Sequence, residues 1–122
     1  MTSPIVMTVD DSRTILMLLN RTLRERGFEV VQAEDGVEAL ERLETERPHV
    51  LITDINMPRL DGFGLIEQVR AQDRFRALPI LVLTTEATPE KRERARKGGA
   101  TGWIVKPFEA DKLEAAIRRV MV

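Results

Sequence analysis

Three aspartates, a threonine and a lysine stand where short apolar runs end. Val6–Val9 leads into Asp10 and Asp11, and Val50–Thr53 leads into Asp54. Ile80–Leu83 ends in Thr84, and Ile104–Val105 runs into Lys106-Pro107. If the four runs are parallel strands, their C-terminal ends share one edge of a sheet. Open α/β sheets bind ligands in the crevice outside those ends. Three carboxylates gathered there repel one another, so the cluster calls for a cation. The donors are oxygens only. With no cysteine in the chain and one histidine, a hard ion such as Mg²⁺ is expected.

The elements that must position these residues can be read from periodicity. The first strand is about Ile5–Val9. Helix one runs about Arg13–Arg26, with Ile15, Leu16, Leu19 and Leu23 on one face and Gly27 placed to stop it. Strand two is about Glu29–Ala33. Asp35 and Glu38 have capping-box spacing for a second helix reaching to about Glu46, with Val37, Leu40 and Leu43 inward and Pro48 behind it. Strand three is about His49–Thr53, and Met57–Gly62 is a turn-rich loop. Phe63–Ala71 reads as helix three, burying Phe63, Ile66 and Val69, and Pro79–Leu83 as strand four. Thr88-Pro89 reads as a hydroxyl cap with proline at the first helical position, opening a fourth helix that ends near Lys97 before Gly98-Gly99. That helix holds little apolar surface beyond Ala95, which makes it the least firmly anchored. Strand five is about Gly102–Val105. Helix five is about Ala110–Met121, with Leu113, Ala116, Ile117 and Val120 at helical spacing. Strands alternating with helices give βαβ units, a parallel sheet and right-handed crossovers.

Composition narrows the function classes. A chain of 122 residues is expected to form one domain over 1–122, with a core that needs no staples. It is 43% hydrophobic and 32% charged, an ordinary globular balance. Absence of cysteine excludes disulfides, thiolate metal sites and thiol catalysis. A formal net charge of −1 gives no field that recruits nucleic acid. No apolar run approaches the roughly 20 residues of a membrane span. Met1-Thr2-Ser3-Pro4 does not read as a signal peptide, so a cytoplasmic location and no membrane partner are expected.

Asp10-Asp11, Asp54, Thr84 and Lys106-Pro107 match the five-point signature of response-regulator receiver domains. The likeness covers essentially the whole chain and extends to Asp54–Gly62 and to Thr84-Thr85-Glu86. Among receivers the chain most resembles single-domain chemotaxis regulators of the CheY type. The resemblance implies a doubly wound, flavodoxin-like sheet of five parallel strands in the order 2-1-3-4-5, with five helices. It implies a phosphorylation switch rather than an enzyme: Asp54 accepts a phosphoryl group from a histidine kinase of the CheA kind. Mg²⁺ is then held by Asp11, Asp54 and the Asn56 backbone carbonyl, with Asp10 acting through water. Lys106, aimed by a cis bond to Pro107, and the Thr84 hydroxyl contact the phosphoryl oxygens. Asn56 and Glu86 tune its hydrolysis. Thr84 and Trp103 form the switch, although Trp103 stands where the family usually has Tyr or Phe. The implied output is protein–protein binding by a monomer, for example to a flagellar motor switch. A phosphate sink in another two-component pathway is the nearest alternative.

Plainer readings exist for each residue alone. A single Asp after a strand is usually a turn or cap, and a single lysine is usually solvated. Such readings do not account for all five points in order. His49 reads as a surface residue at a strand entry, and Met57 as a loop residue. Lys91, Arg92, Arg94, Arg96 and Lys97 form a basic stretch on helix four, a solvated face by default and a partner surface by resemblance. An aspartate-nucleophile phosphatase of the haloacid dehalogenase kind would show Asp-x-Asp after the first strand and a cap. A flavin carrier would show a Ser/Thr/Gly-rich phosphate loop where Asp10-Asp11 stands.

Overall fold

A computed structural model describes residues 3–121; Met1 and Thr2, part of the segment that does not read as a signal peptide, and Val122 lie outside them. The elements are β1 (Ile5–Val9), α1 (Arg13–Glu25), β2 (Glu29–Ala33), α2 (Gly36–Leu43), β3 (Val50–Thr53), α3 (Gly62–Arg70), a 3-10 turn (Asp73–Phe75), β4 (Ile80–Thr84), α4 (Pro89–Gly98), β5 (Gly102–Val105) and α5 (Ala110–Val120). The strands are all parallel and ordered β2-β1-β3-β4-β5. This is the doubly wound arrangement the resemblance implies.

Successive residues of a strand point to opposite faces, and here both faces are apolar. Val6, Val50, Ile52, Leu81 and Leu83 pack with Leu19, Leu23, Leu113 and Ile117 of α1 and α5. Met7, Val9, Leu51, Ile80 and Val82 pack with Ala39, Leu43, Leu65, Ile66, Val69 and Ala95 of α2, α3 and α4. Helices therefore cover both sides, as near-continuous apolar strands require. Truncating a wholly buried residue of this core, such as Leu51, removes about 2–5 kcal/mol. That is a large share of the roughly 5–15 kcal/mol that holds a domain folded.

Several local expectations change. The inward stripe of α2 is Gly36, Ala39 and Leu43, while Val37 and Leu40 are half-buried. The helix ends at Leu43, short of Glu46. Arg47 Nη1 donates to the carbonyls of Leu43 and Glu46, each at 2.9 Å, and so satisfies the chain end before Pro48. In α3, Leu65 joins Ile66 and Val69 in the core, whereas Phe63 is half-buried under the Arg94 guanidinium, 4.0 Å from its ring centre. The Asp61 carboxylate caps this helix through Gly64 N–H (2.8 Å). Thr88 occupies the N-cap position of α4, but its hydroxyl makes no capping bond. Only Ala95 of α4 is buried, so the weak anchoring holds. Gly27 and Gly99 close α1 and α4 with φ of +92° and +116°, a conformation that glycine adopts without a Cβ penalty. The 3-10 turn after α3 was not expected; it buries Phe75.

Candidate functional site

Asp10, Asp54 and Lys106 each sit one step beyond a strand, on backbone that continues the ladder, and Thr84 is the last residue of β4. Asp10 N–H donates to Ala33 O (3.1 Å), Asp54 N–H to Val9 O (2.9 Å) and Lys106 N–H to Thr84 O (2.8 Å). The carboxyl edge of the sheet thus fixes the Cα positions before any side chain interacts. One carboxylate oxygen from each of Asp10, Asp11 and Asp54 lies within 4.8 Å of the others. Asp10 and Asp54 are buried and Asp11 is exposed.

Lys106 holds the cluster together. Its Nζ donates to Asp10 Oδ2 at 2.7 Å and to Asp54 Oδ2 at 2.8 Å. The Lys106–Pro107 peptide is cis. The second oxygens are also occupied: Ser12 N–H donates to Asp10 Oδ1 (2.9 Å) and Ile55 N–H to Asp54 Oδ1 (2.6 Å). Burial pushes the Asp10 carboxyl above its ordinary range, and the bonds from Lys106 and Ser12 do not fully offset this. Burial also works against charged Lys106, but its bonds to Asp10 and Asp54 outweigh it and leave the ammonium harder to deprotonate than usual. One ammonium therefore serves two carboxylates, with a third at the solvent margin. The crevice remains short of positive charge.

That donor set fits Mg²⁺. The ligands are hard oxygens, and Asp11 faces solvent, leaving room for the waters this ion retains. Asn56 lies in the loop after β3, as the resemblance implies, with its side chain exposed.

A second network flanks the crevice. Asn56 Nδ2 donates to Glu86 Oε1 (3.1 Å), and Lys91 Nζ of α4 lies 2.9 Å from the same oxygen. These two partners, Lys91 first, hold Glu86 below the ordinary carboxylate range. Glu86 N–H donates to Thr84 Oγ1 (3.3 Å), and the Trp103 indole N–H donates to Glu86 O (3.2 Å). Thr84 is buried and Trp103 half-buried against the α2–α4 core. The structure therefore brings Asp10, Asp11, Asp54 and Lys106 together, and links Asn56, Thr84, Glu86 and Trp103 beside them. His49 lies elsewhere, its Nδ1 accepting from Ile5 N–H (2.9 Å) at the opposite edge. In the sequence Lys91 stands out only as part of a basic stretch; its contact with Glu86 crosses a loop and leaves no periodic signal.

Glycine keeps the loop close to the crevice. A Cβ on Gly62 would fall 2.2 Å from Asp54 O and 2.8 Å from Ile55 Cα. Gly62 N–H in turn donates to Ile55 O (2.8 Å).

A doubly wound parallel sheet carrying this acidic crevice at its carboxyl edge defines a receiver domain of two-component signalling. The response regulator receiver domain family matches residues 6–118, and the chain belongs to that family. The chain is 41% identical over 118 residues to chemotaxis protein CheY1 of Helicobacter pylori, covering 95% of each. It is similar to the chemotaxis response regulator CheY4 of Vibrio cholerae, with TM-score 0.92, 44% identity, and 98% and 99% of the two chains covered. It also resembles the receiver domain of sensor histidine kinase PA1611 of Pseudomonas aeruginosa, with TM-score 0.91 and 28% identity over 98% of each chain. That structure has a magnesium ion coordinated in its active-site cleft. Receiver domains are signalling domains. Among the described residues, no helix is long and apolar enough to cross a membrane.

Proposed function

We propose that this chain is a phosphorylation switch that accepts a phosphoryl group on Asp54 from a histidine kinase and signals by binding another protein. The observation that carries the reading is the shared ammonium of Lys106 between Asp10 and Asp54, beside exposed Asp11. An Asp54 oxygen attacks the phosphorus, an acyl phosphate forms, and the P–N bond to the donor imidazole breaks. Lys106 is a compact charge already in place to follow the phosphoryl oxygens. Thr84 Oγ1 accepts from Glu86 N–H (3.3 Å), so its own proton is free to be donated to the phosphoryl group. Asp11, Asp54 and the Asn56 carbonyl would hold Mg²⁺, with Asp10 acting through water. The ion supplies positive charge that neutralises the transferring group.

Asn56 and Glu86 would set the rate of water attack, since the Asn56 amide is oriented by Glu86 (3.1 Å). Trp103 would report the switch through its bond to the Glu86 carbonyl. The output face would be α4, β5 and α5, where exposed basic residues of α4 meet the half-buried indole. Similarity to CheY1 and CheY4 favours chemotaxis, with a CheA-like kinase upstream and a flagellar motor switch downstream. A phosphate sink uses the same site without that target. In either role the protein would act as a cytoplasmic monomer, with residues 1–122 as one receiver domain.

The test is phosphotransfer. Incubation with acetyl phosphate and Mg²⁺ should raise the intact mass by one phosphoryl group, and a chelator should prevent it. A protein that stays unmodified under both acetyl phosphate and phosphorylated histidine kinase refutes the proposal.

A further inference from the structure

The loop between β3 and α3 contains a strained turn, and the structure shows what holds it. Leu60 N–H donates to Pro58 O (2.7 Å) around Arg59, whose φ is +65°. An i to i+2 bond around a positive-φ residue marks the rarer, strained form of γ-turn. Arg59 is the one non-glycine residue with positive φ among the described residues. Such strain persists only where the surroundings over-determine it.

The surroundings here are the N-terminus of α2. Arg59 Nε donates to Asp35 Oδ2 (2.8 Å) and Arg59 Nη2 to Asp35 Oδ1 (3.1 Å). The same Oδ1 accepts from Glu38 N–H (2.8 Å), so the cap of α2 and the clamp on Arg59 are one carboxylate. Asp35 is held below the ordinary range chiefly by Arg59. A half-solvated ion pair contributes little by itself. This one is bidentate, its acceptor is buried, and it is reinforced by backbone: Gly36 N–H donates to Leu60 O (3.1 Å). Leu60 sits between two glycines. A Cβ on Gly36 would lie 2.6 Å from Leu60 O, and one on Gly64 would lie 2.5 Å from Leu60 Cδ1. The turn is therefore pressed onto α2 at a distance only glycine allows. Its other end is tied to Asp54 through Gly62 and Ile55.

We propose that Arg59 is a positioning residue of the candidate phosphorylation site: clamped by Asp35, it keeps the strained turn closed and so holds Asn56 in register with Asp54. The inference rests on the functional reading above, because Asn56 matters only if its carbonyl and amide serve Asp54. Outer-sphere groups of this kind orient ligands they do not replace. The clamp also makes the start of α2 part of the site's support.

The experiment titrates Mg²⁺ alone, without a phosphoryl donor, into wild type, Arg59→Ala, Arg59→Asn, Asp35→Asn and the double variant Arg59→Ala/Asp35→Asn. Backbone amide NMR reads both binding and exchange. Asp35→Asn keeps a capping oxygen, and Arg59→Asn tolerates positive φ but cannot reach the carboxylate. Each single variant is expected to weaken Mg²⁺ binding about threefold to tenfold, at or below the low end of what losing an outer-sphere partner costs. Each is also expected to speed exchange of the Leu60 and Gly36 amides, and the double variant to be no worse than either single one. Wild-type affinity in Arg59→Asn, or losses that multiply in the double variant, would overturn the inference. Wild type that ignores Mg²⁺ would sink the functional reading instead, and the inference with it.

Discussion

Replacing Asp10 by asparagine should stabilise the protein in the absence of a divalent cation. Asp10 and Asp54 bring oxygens within 4.8 Å, a repulsion of at least about 3.5 kcal/mol at an effective dielectric constant of about 20. Lys106 lies 2.7 Å from Asp10, an attraction of about 6 kcal/mol on the same scale. That ammonium is shared with Asp54 at 2.8 Å. The surplus of attraction over repulsion is therefore small, at most about 2–3 kcal/mol, against several kcal/mol to remove a carboxylate from water. Asp10 is only 2% exposed, so desolvation decides the sign, in keeping with its raised pKa. Asparagine keeps the oxygen that accepts from Ser12 N–H and leaves Lys106 to Asp54. The expected gain at pH 7 is about 1–2 kcal/mol, or about 3–10 °C in Tm for a domain of this size.

The pH dependence follows from the direction of the shift. With a folded-state pKa above the unfolded one, the native state binds more protons between the two values, so wild-type stability falls as pH rises through that window. The deficit is absent below the ordinary value of 3.8 and grows as pH rises from there towards the higher folded-state value. Urea unfolding of both proteins from pH 3 to 7 should show a difference that shrinks towards acid. Mg²⁺ should narrow the gap at pH 7 by stabilising wild type more than Asp10→Asn. A variant less stable at pH 7, or a gain unchanged at pH 3, would refute this reasoning.

Lys106→Met should destabilise by about 3 kcal/mol in urea unfolding, because it leaves two buried carboxylates unpaired. The raised pKa of Lys106 means its contribution is fully present below the ordinary 10.5 and is lost only as pH rises through the higher folded-state value. Thr8 Oγ1 is buried without a hydrogen-bond partner, so Thr8→Val should raise stability by about 1 kcal/mol; a lower urea midpoint would show that the hydroxyl is satisfied. Beryllofluoride with Mg²⁺ should shift Trp103 emission and reduce iodide quenching, and Thr84→Ala should weaken both effects. Identical spectra and quenching in the two states would make Trp103 a static residue at the sheet edge.

The acidic crevice was legible because it depends on strand ends. Four apolar runs closing on Asp10-Asp11, Asp54, Thr84 and Lys106 place those residues on one edge as soon as the strands are parallel. The order of the strands was not in the pattern; it came with the family resemblance. Helix faces were legible where periodicity was clean, as in α1 and α5. They shifted in α2 and α3, where Gly36 and Gly62 lie against neighbouring backbone, Ala39 is buried in the core and larger residues half-cover the rim. Thr88 had the residue type of a cap, but the approach to α4 is held instead by Glu86, through Lys91 and Trp103. The Arg59–Asp35 clamp joins two loops 24 residues apart, and no local spacing encodes it.

The central claim is that Asp54 takes the phosphoryl group. Borohydride reduction of the acetyl phosphate-treated protein converts an aspartyl phosphate to homoserine, and peptide mapping then reads the position. Homoserine at position 54 alone, lost when Mg²⁺ is chelated, is the expected result. Homoserine at Asp10 or Asp11, or undiminished phosphorylation in Asp54→Asn, would contradict the account.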